Sequence, residues 1–194
     1  KKIKTDIKLV TKKKYFSKID LLNSPLIMGV LNLTPDSFSD GGKYNKEDLG
    51  YIKAKQLIKE GSKIIDIGGE STRPYSNKVD KKIEWERIKS TLKKLKKSNL
   101  LISIDTRKSF VMEKGIKLGA KIINDVSGLK YDSKTISILK KYKLPFVIHH
   151  MKGTPKTMQK NPKYKNVLLD IYDFFENRIK KVRKNGIKHN NIML

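Results

Sequence analysis

Lys63-Ile64-Ile65-Asp66-Ile67-Gly68-Gly69-Glu70-Ser71-Thr72-Arg73-Pro74 is the stretch from which the fold is read. An isoleucine-rich run too short for a helix leads directly into two glycines, an acid, two hydroxyls and an arginine. β-branched residues in a short continuous apolar run mark a strand buried on both faces, as in a parallel sheet. The polar residues at its C-terminal end are placed where an α/β protein puts chemistry.

The same grammar recurs on both sides of this stretch. Upstream lies Leu26–Leu33; downstream lie Leu101–Asp105, Ile122–Val126, Pro145–His149 and Ile192–Leu194. Between these runs, Lys46–Glu60, Lys81–Lys97, Ser109–Lys117, Ser133–Tyr142 and Asn166–Lys184 are predicted helices, with Gly61, Gly119 and Gly186 at helix-stop positions. In the last of them Leu168, Leu169, Tyr172, Phe175, Ile179 and Val182 form an apolar stripe, read as core packing. Strict alternation predicts a parallel α/β sheet in one domain. Each of the first five strands runs into a polar cluster, and no G-x-G-x-x-G turn concentrates function at one switch point. That pattern selects a (β/α)₈ TIM barrel, of which about six β/α units are present.

Composition bounds the function. The chain has 194 residues and no cysteine, which excludes disulfides and thiolate metal sites. It has no apolar run long enough to span a membrane. The net charge is +26, yet only five of the 45 basic residues are arginine. The lysines are spread along water-facing helix positions such as Lys93, Lys94, Lys96 and Lys97, without interleaved aromatics. A nucleic-acid surface favours arginine forks and stacking platforms, so no nucleic-acid or membrane partner is expected.

The clusters carry distinct chemistries. Asn32–Gly42, with Asp36, Phe38 and Asp40, is a polar loop able to close over a ligand and hold an oxyanion or Mg²⁺, the alternative being a surface loop with Thr-Pro-Asp-Ser as a plain turn. In the 66–74 stretch, Thr72 and Arg73 suit phosphate oxygens; the alternative is a local Glu70–Arg73 salt bridge. Asp105 and Asn124 suit a flat ligand with a guanidine-like edge, the alternative being that Asp105 or Thr106 caps the next helix. His149 and His150 point to opposite faces, so they cannot chelate one metal; one faces the mouth and the other packs under a helix.

Met28-Gly-Val-Leu-Asn-Leu-Thr-Pro-Asp-Ser-Phe-Ser-Asp-Gly-Gly42 and Asp66-Ile-Gly-Gly-Glu-Ser-Thr-Arg-Pro74 resemble the two signatures of the dihydropteroate synthases. Ser103–Thr106, Ile123–Val126 and His150–Pro155 fall in that family's order, so the resemblance runs from about Leu26 onward. It implies a folate-pathway transferase that condenses 6-hydroxymethyl-7,8-dihydropterin pyrophosphate with p-aminobenzoate, with Mg²⁺ as cofactor and sulfonamides as competitors. It implies that Asn32 binds Mg²⁺–pyrophosphate, that Thr72 and Arg73 hold the pyrophosphate, and that Asp36 serves the closing loop and the developing cationic methylene. Phe38 and Pro74 then wall the p-aminobenzoate pocket, and Asp105 and Asn124 bind the pterin. Tyr75 departs from the family, where Gly commonly follows Ser-Thr-Arg-Pro. The resemblance further implies a homodimer and later strands bearing an Asp, a Lys and an Arg-x-His pair. A cytoplasmic location is expected, and because six strands of an eight-stranded barrel leave open sheet edges, residues 1–194 alone are expected to be inactive and poorly soluble. The rival readings are a methyltetrahydrofolate-binding barrel, a non-catalytic basic RNA-binding module and an inactive truncated remnant.

Overall fold

A computed structural model describes residues 16, 19, 25–34, 46–73, 75–98 and 100–194. Six parallel strands, β1 (Met28–Asn32), β2 (Ile64–Gly68), β3 (Leu101–Asp105), β4 (Ile122–Asp125), β5 (Phe146–Ile148) and β6 (Ile192–Met193), pair in sequence order. Helices α1 (Lys46–Lys59), α2 (Lys81–Leu95), α3 (Ser109–Lys117), α4 (Thr135–Tyr142) and α5 (Val167–Lys184) connect the first five strands and lead into β6. Consecutive parallel neighbours joined by helices are the repeat of a (β/α)₈ barrel.

Residue parity divides the strands into two faces. Outward residues Leu31, Ile65, Ile67, Ile102, Ile104, Ile123, Phe146 and Ile148 form one core with the helices. On α2 that core takes Trp85, Ile88, Leu92 and Leu95, spaced along one helical stripe. Inward residues Met28, Ile64, Leu101, Ile122, Val147 and Met193 form a second, smaller cluster closed from below by Phe16 and Ile19. Each fully buried aliphatic side chain contributes about 1.5–3 kcal/mol of transfer free energy.

The helix ends follow local chemistry. Asp80 caps α2 by accepting from the Lys82 amide at 2.7 Å. Asn166 caps α5 by accepting from the Leu169 amide at 3.1 Å. Gly61, Gly119 and Gly186 follow their helices with positive φ, as expected of helix stops. The stripe on α5 is only partly core. Val182 is buried and Phe175 and Ile179 are half-buried, but Leu168 is 75% and Tyr172 64% exposed, and Leu169 is exposed too. The helix reaches the core through Phe174, Phe175 and Val182, whereas Leu168, Leu169 and Tyr172 in its first turns are exposed.

Candidate functional site

The strand register brings one row of inward positions together at the C-terminal ends: Asn32 beside Gly68, Gly68 beside Asp105, and Asp105 beside Asn124. Gly68 matters because it has no side chain. A Cβ there would lie 3.4 Å from Asn32 Oδ1 and 3.5 Å from Asp105 Oδ2, so glycine leaves a floor open between an amide and a carboxylate. Three residues expected from the sequence, Asn32, Asp105 and Asn124, therefore share one mouth.

Asp105 is the anomaly of that row. Its Oδ1 is buried and has no hydrogen-bond partner among the described residues. Burial, then the neighbouring carboxylates of Asp66, Glu84, Asp125 and Glu70, push its pKa well above the ordinary 3.8. Folded proteins seldom leave a buried carboxyl unpaired, because each such group costs stability. Asp105 caps no helix. The α3 amide of Ser109 is instead satisfied by Asp132 Oδ2 at 2.9 Å, and Thr106 Oγ1 accepts from the Lys108 amide at 3.2 Å.

Asn124 is held from two sides. Its Nδ2 donates to Asp66 Oδ2 at 2.8 Å, and its Oδ1 lies 2.6 Å from His149 Nε2. Burial raises the Asp66 pKa, partly offset by the Ser103 and Asn124 side chains and by His149. His149 faces the mouth, whereas His150 packs edge-on against Phe174 with centroids 4.9 Å apart. Sequence reasoning did not single out Asp66 as a site residue, although counting back two from Gly68 along the strand turns it inward. Asp125, next to Asn124, points the other way. It accepts from the Ser127 amide at 2.8 Å and hydroxyl at 2.6 Å, and burial lifts it to about 6.

The loop after β2 is anchored by a buried ion cluster. Glu70 accepts from Arg107 Nε at 2.8 Å and Nη2 at 3.1 Å, and Lys108 Nζ lies 3.0 Å away. Lys108 also pairs with Glu84, which accepts from the Thr106 hydroxyl. Burial pushes Glu70 up, but Arg107, the Val79 amide and Lys108 outweigh it and hold the carboxyl below its usual range. The local Glu70–Arg73 bridge is therefore not formed: Glu70 is committed to the loop after β3, and Arg73 is exposed. Glu70 Oε1 also accepts from the Val79 amide at 2.8 Å, tying together both ends of the segment that carries Thr72 and Arg73. The Tyr75 amide, at φ 67°, donates to Pro155 O at 3.0 Å and joins this loop to the one after β5. Asp36, Phe38 and Pro74 lie outside the described residues.

Among the described residues no group of three or more His, Cys, Asp or Glu forms a metal cluster. The Oδ1 of Asn32 beside Gly68 is nonetheless an oxygen of the hard kind that suits Mg²⁺, an ion commonly held by one or two protein ligands and the substrate's phosphates. The residues present fit such an ion.

The family model described as pterin binding enzyme matches residues 28–194. The chain belongs to the pterin-binding enzyme family. It is 38% identical to the dihydropteroate synthase of Haemophilus influenzae over 173 residues, which is 89% of this chain and 62% of that protein. Among solved structures it is similar to Yersinia pestis dihydropteroate synthase in complex with a sulfonamide drug, at 37% identity and a TM-score of 0.81, covering 90% of this chain and 63% of that one. It is also similar to the Xanthomonas albilineans dihydropteroate synthase with 4-aminobenzoic acid, at 33% identity and a TM-score of 0.80, covering 88% and 60%. The chain thus spans about three fifths of the length of these pterin-binding relatives. No helix among the described residues is long and apolar enough to cross a membrane.

Proposed function

We propose that the mouth binds a pterin and that the whole protein is a dihydropteroate synthase, joining 6-hydroxymethyl-7,8-dihydropterin pyrophosphate to p-aminobenzoate. The observation that carries this reading is the buried Asp105 Oδ1, without a partner among the described residues, beside Asn124 at the barrel mouth of a pterin-binding family member. A pterin presents amino and ring N–H donors along one edge. Asp105 would accept them, and Asn124 would supply one donor and one acceptor. Ligand donors would thus offset the desolvation of Asp105.

In the reaction the methylene C–O bond breaks and pyrophosphate leaves with the electron pair. The aniline nitrogen attacks the methylene carbon and then loses its proton. No nucleophilic side chain is needed; the protein's task is to orient two substrates and to hold a polyanion as it departs. Thr72 and Arg73, on the loop braced by Glu70, are assigned to the pyrophosphate. Asn32 is assigned to Mg²⁺, which when bound supplies charge neutralisation to the leaving group. Asp36 is assigned to the closing loop, and Phe38 and Pro74 to the p-aminobenzoate wall where sulfonamides would compete. The same reading makes the whole protein a cytoplasmic homodimer, checked by sedimentation of the purified full chain and fractionation of its source.

The deciding experiment incubates the full chain with both substrates and Mg²⁺ and follows dihydropteroate formation. Stoichiometric release of pyrophosphate that depends on p-aminobenzoate is the expected result. Absence of turnover, together with RNA binding of steep salt dependence, would instead favour the basic-module reading.

A further inference from the structure

Asn124 is held at both ends of its amide, and the partner at its outer end is a residue to which the proposed reaction gives no task. His149 lies two residues past Val147 on β5, so it returns to the inward face of the barrel. Its Nε2 is 2.6 Å from Asn124 Oδ1, while Asn124 Nδ2 is 2.8 Å from Asp66 Oδ2. We propose that His149 is a positioning residue: through a one-way hydrogen-bond chain, His149 to Asn124 to Asp66, it fixes which end of the Asn124 amide donates and which accepts, and so selects the edge of the heterocycle that the mouth takes. This rests on the reading of the mouth as a pterin site.

The direction of the chain follows from elementary hydrogen-bond capacity. Asn124 Nδ2 donates to Asp66 Oδ2 at 2.8 Å, so the NH₂ of the amide faces Asp66. Asn124 Oδ1 then faces His149, and a carbonyl oxygen accepts only. Nε2 must therefore carry a hydrogen, and the neutral ring is the Nε2–H tautomer with Nδ1 free of a proton. Turning the amide over would set its oxygen against the Asp66 carboxylate and its NH₂ against a donor, losing both bonds at once. With both ends fixed, Asn124 keeps one N–H and one lone pair in defined places for a ligand. Without His149 only the Asp66 end is held, and the acceptor end of Asn124 is free to swing.

Bonding also separates the two adjacent histidines. His150 packs within an aromatic group, 4.9 Å from Phe174 and 5.9 Å from Tyr164, and has no part in the chain. A role for His149 confined to packing would predict that any side chain of similar size serves equally well. A positioning role predicts that a donor at that point is required.

Two variants of the full chain, His149→Leu and His149→Gln, separate these cases, with binding of 6-hydroxymethyl-7,8-dihydropterin measured by titration calorimetry and KM for p-aminobenzoate from steady-state rates. His149→Leu is expected to weaken pterin binding about tenfold, the scale of one lost hydrogen bond. It should leave the KM for p-aminobenzoate and the melting temperature unchanged. His149→Gln, which restores an N–H donor, is expected to recover affinity to within about threefold of the parent. Equal affinity of parent and His149→Leu overturns the inference, and so does equal loss in both variants. Nitrogen NMR of the ligand-free parent gives a test independent of pterin binding and of variant folding: an Nε2–H neutral tautomer supports the chain, and an Nδ1–H tautomer overturns it. A parent that shows the Nε2–H tautomer but binds no pterin defeats the proposed function and with it the selection of a heterocycle edge, leaving the chain a local structural feature.

Discussion

The two faces of the same six strands obey opposite rules. Outward, Ile65, Ile67, Ile102, Ile104, Ile123 and Phe146 are sealed against the helices at 2% exposure or less. Inward, the lower layer is apolar, but the upper layer is Asn32, Gly68, Asp105 and Asn124, with a carboxyl oxygen left unsatisfied among the described residues. One strand carries both because its side chains alternate with a period of two. The outer face supplies stability; the upper inner face spends some of it to keep polar atoms ready for a ligand.

The sharpest way to blur that division is to open the ion cluster where the two faces meet. Glu70→Ala leaves Arg107 and Lys108 buried beside a lost partner, and should cost about 3–5 kcal/mol in chemical denaturation. Ile67→Ala strikes the outer face alone. It should cost about 2–5 kcal/mol of stability, while pterin affinity of the folded protein stays unchanged in a titration.

Asp105→Asn strikes the inner face alone and should invert that outcome. Pterin affinity should fall about 10- to 100-fold, since an acceptor pair becomes a mixed donor and acceptor. Stability should rise. The Asp105 pKa is raised on folding, so the folded state favours the protonated carboxyl. Its contribution is fully favourable below the ordinary 3.8 and is lost as pH rises toward its elevated folded value. The gain from Asp105→Asn is therefore greatest at neutral pH and shrinks as pH falls to 4 and below, which denaturant midpoints across that range would show. The smallest effect is expected at Leu168, 75% exposed on α5, where Leu168→Ser should change stability by less than about 0.5 kcal/mol.

The fold was legible because buried parallel strands write themselves as short β-branched runs. Ile64–Gly68, Leu101–Asp105 and Ser109–Lys117 have the bounds expected from the sequence, and the other predicted elements differ by a few residues at their ends. Asn32, Asp105 and Asn124 were legible as polar residues at strand ends. Asp66 was hidden inside an apolar run, where only parity betrays it. The Glu70–Arg107 pair joins residues 37 apart through the loops of neighbouring strands, a contact that no local pattern encodes. The exposure of Leu168, Leu169 and Tyr172 was illegible for another reason. Periodicity tells which face of a helix is apolar, not how far along its length a partner covers it.

The most direct test of the central claim is a crystal structure of the full chain with 6-hydroxymethyl-7,8-dihydropterin. The account predicts the ring in the mouth, with its donor edge within hydrogen-bond distance of Asp105 Oδ1 and of Asn124. A pterin bound elsewhere, or a mouth in which Asp105 remains unpartnered with the ligand present, would contradict it.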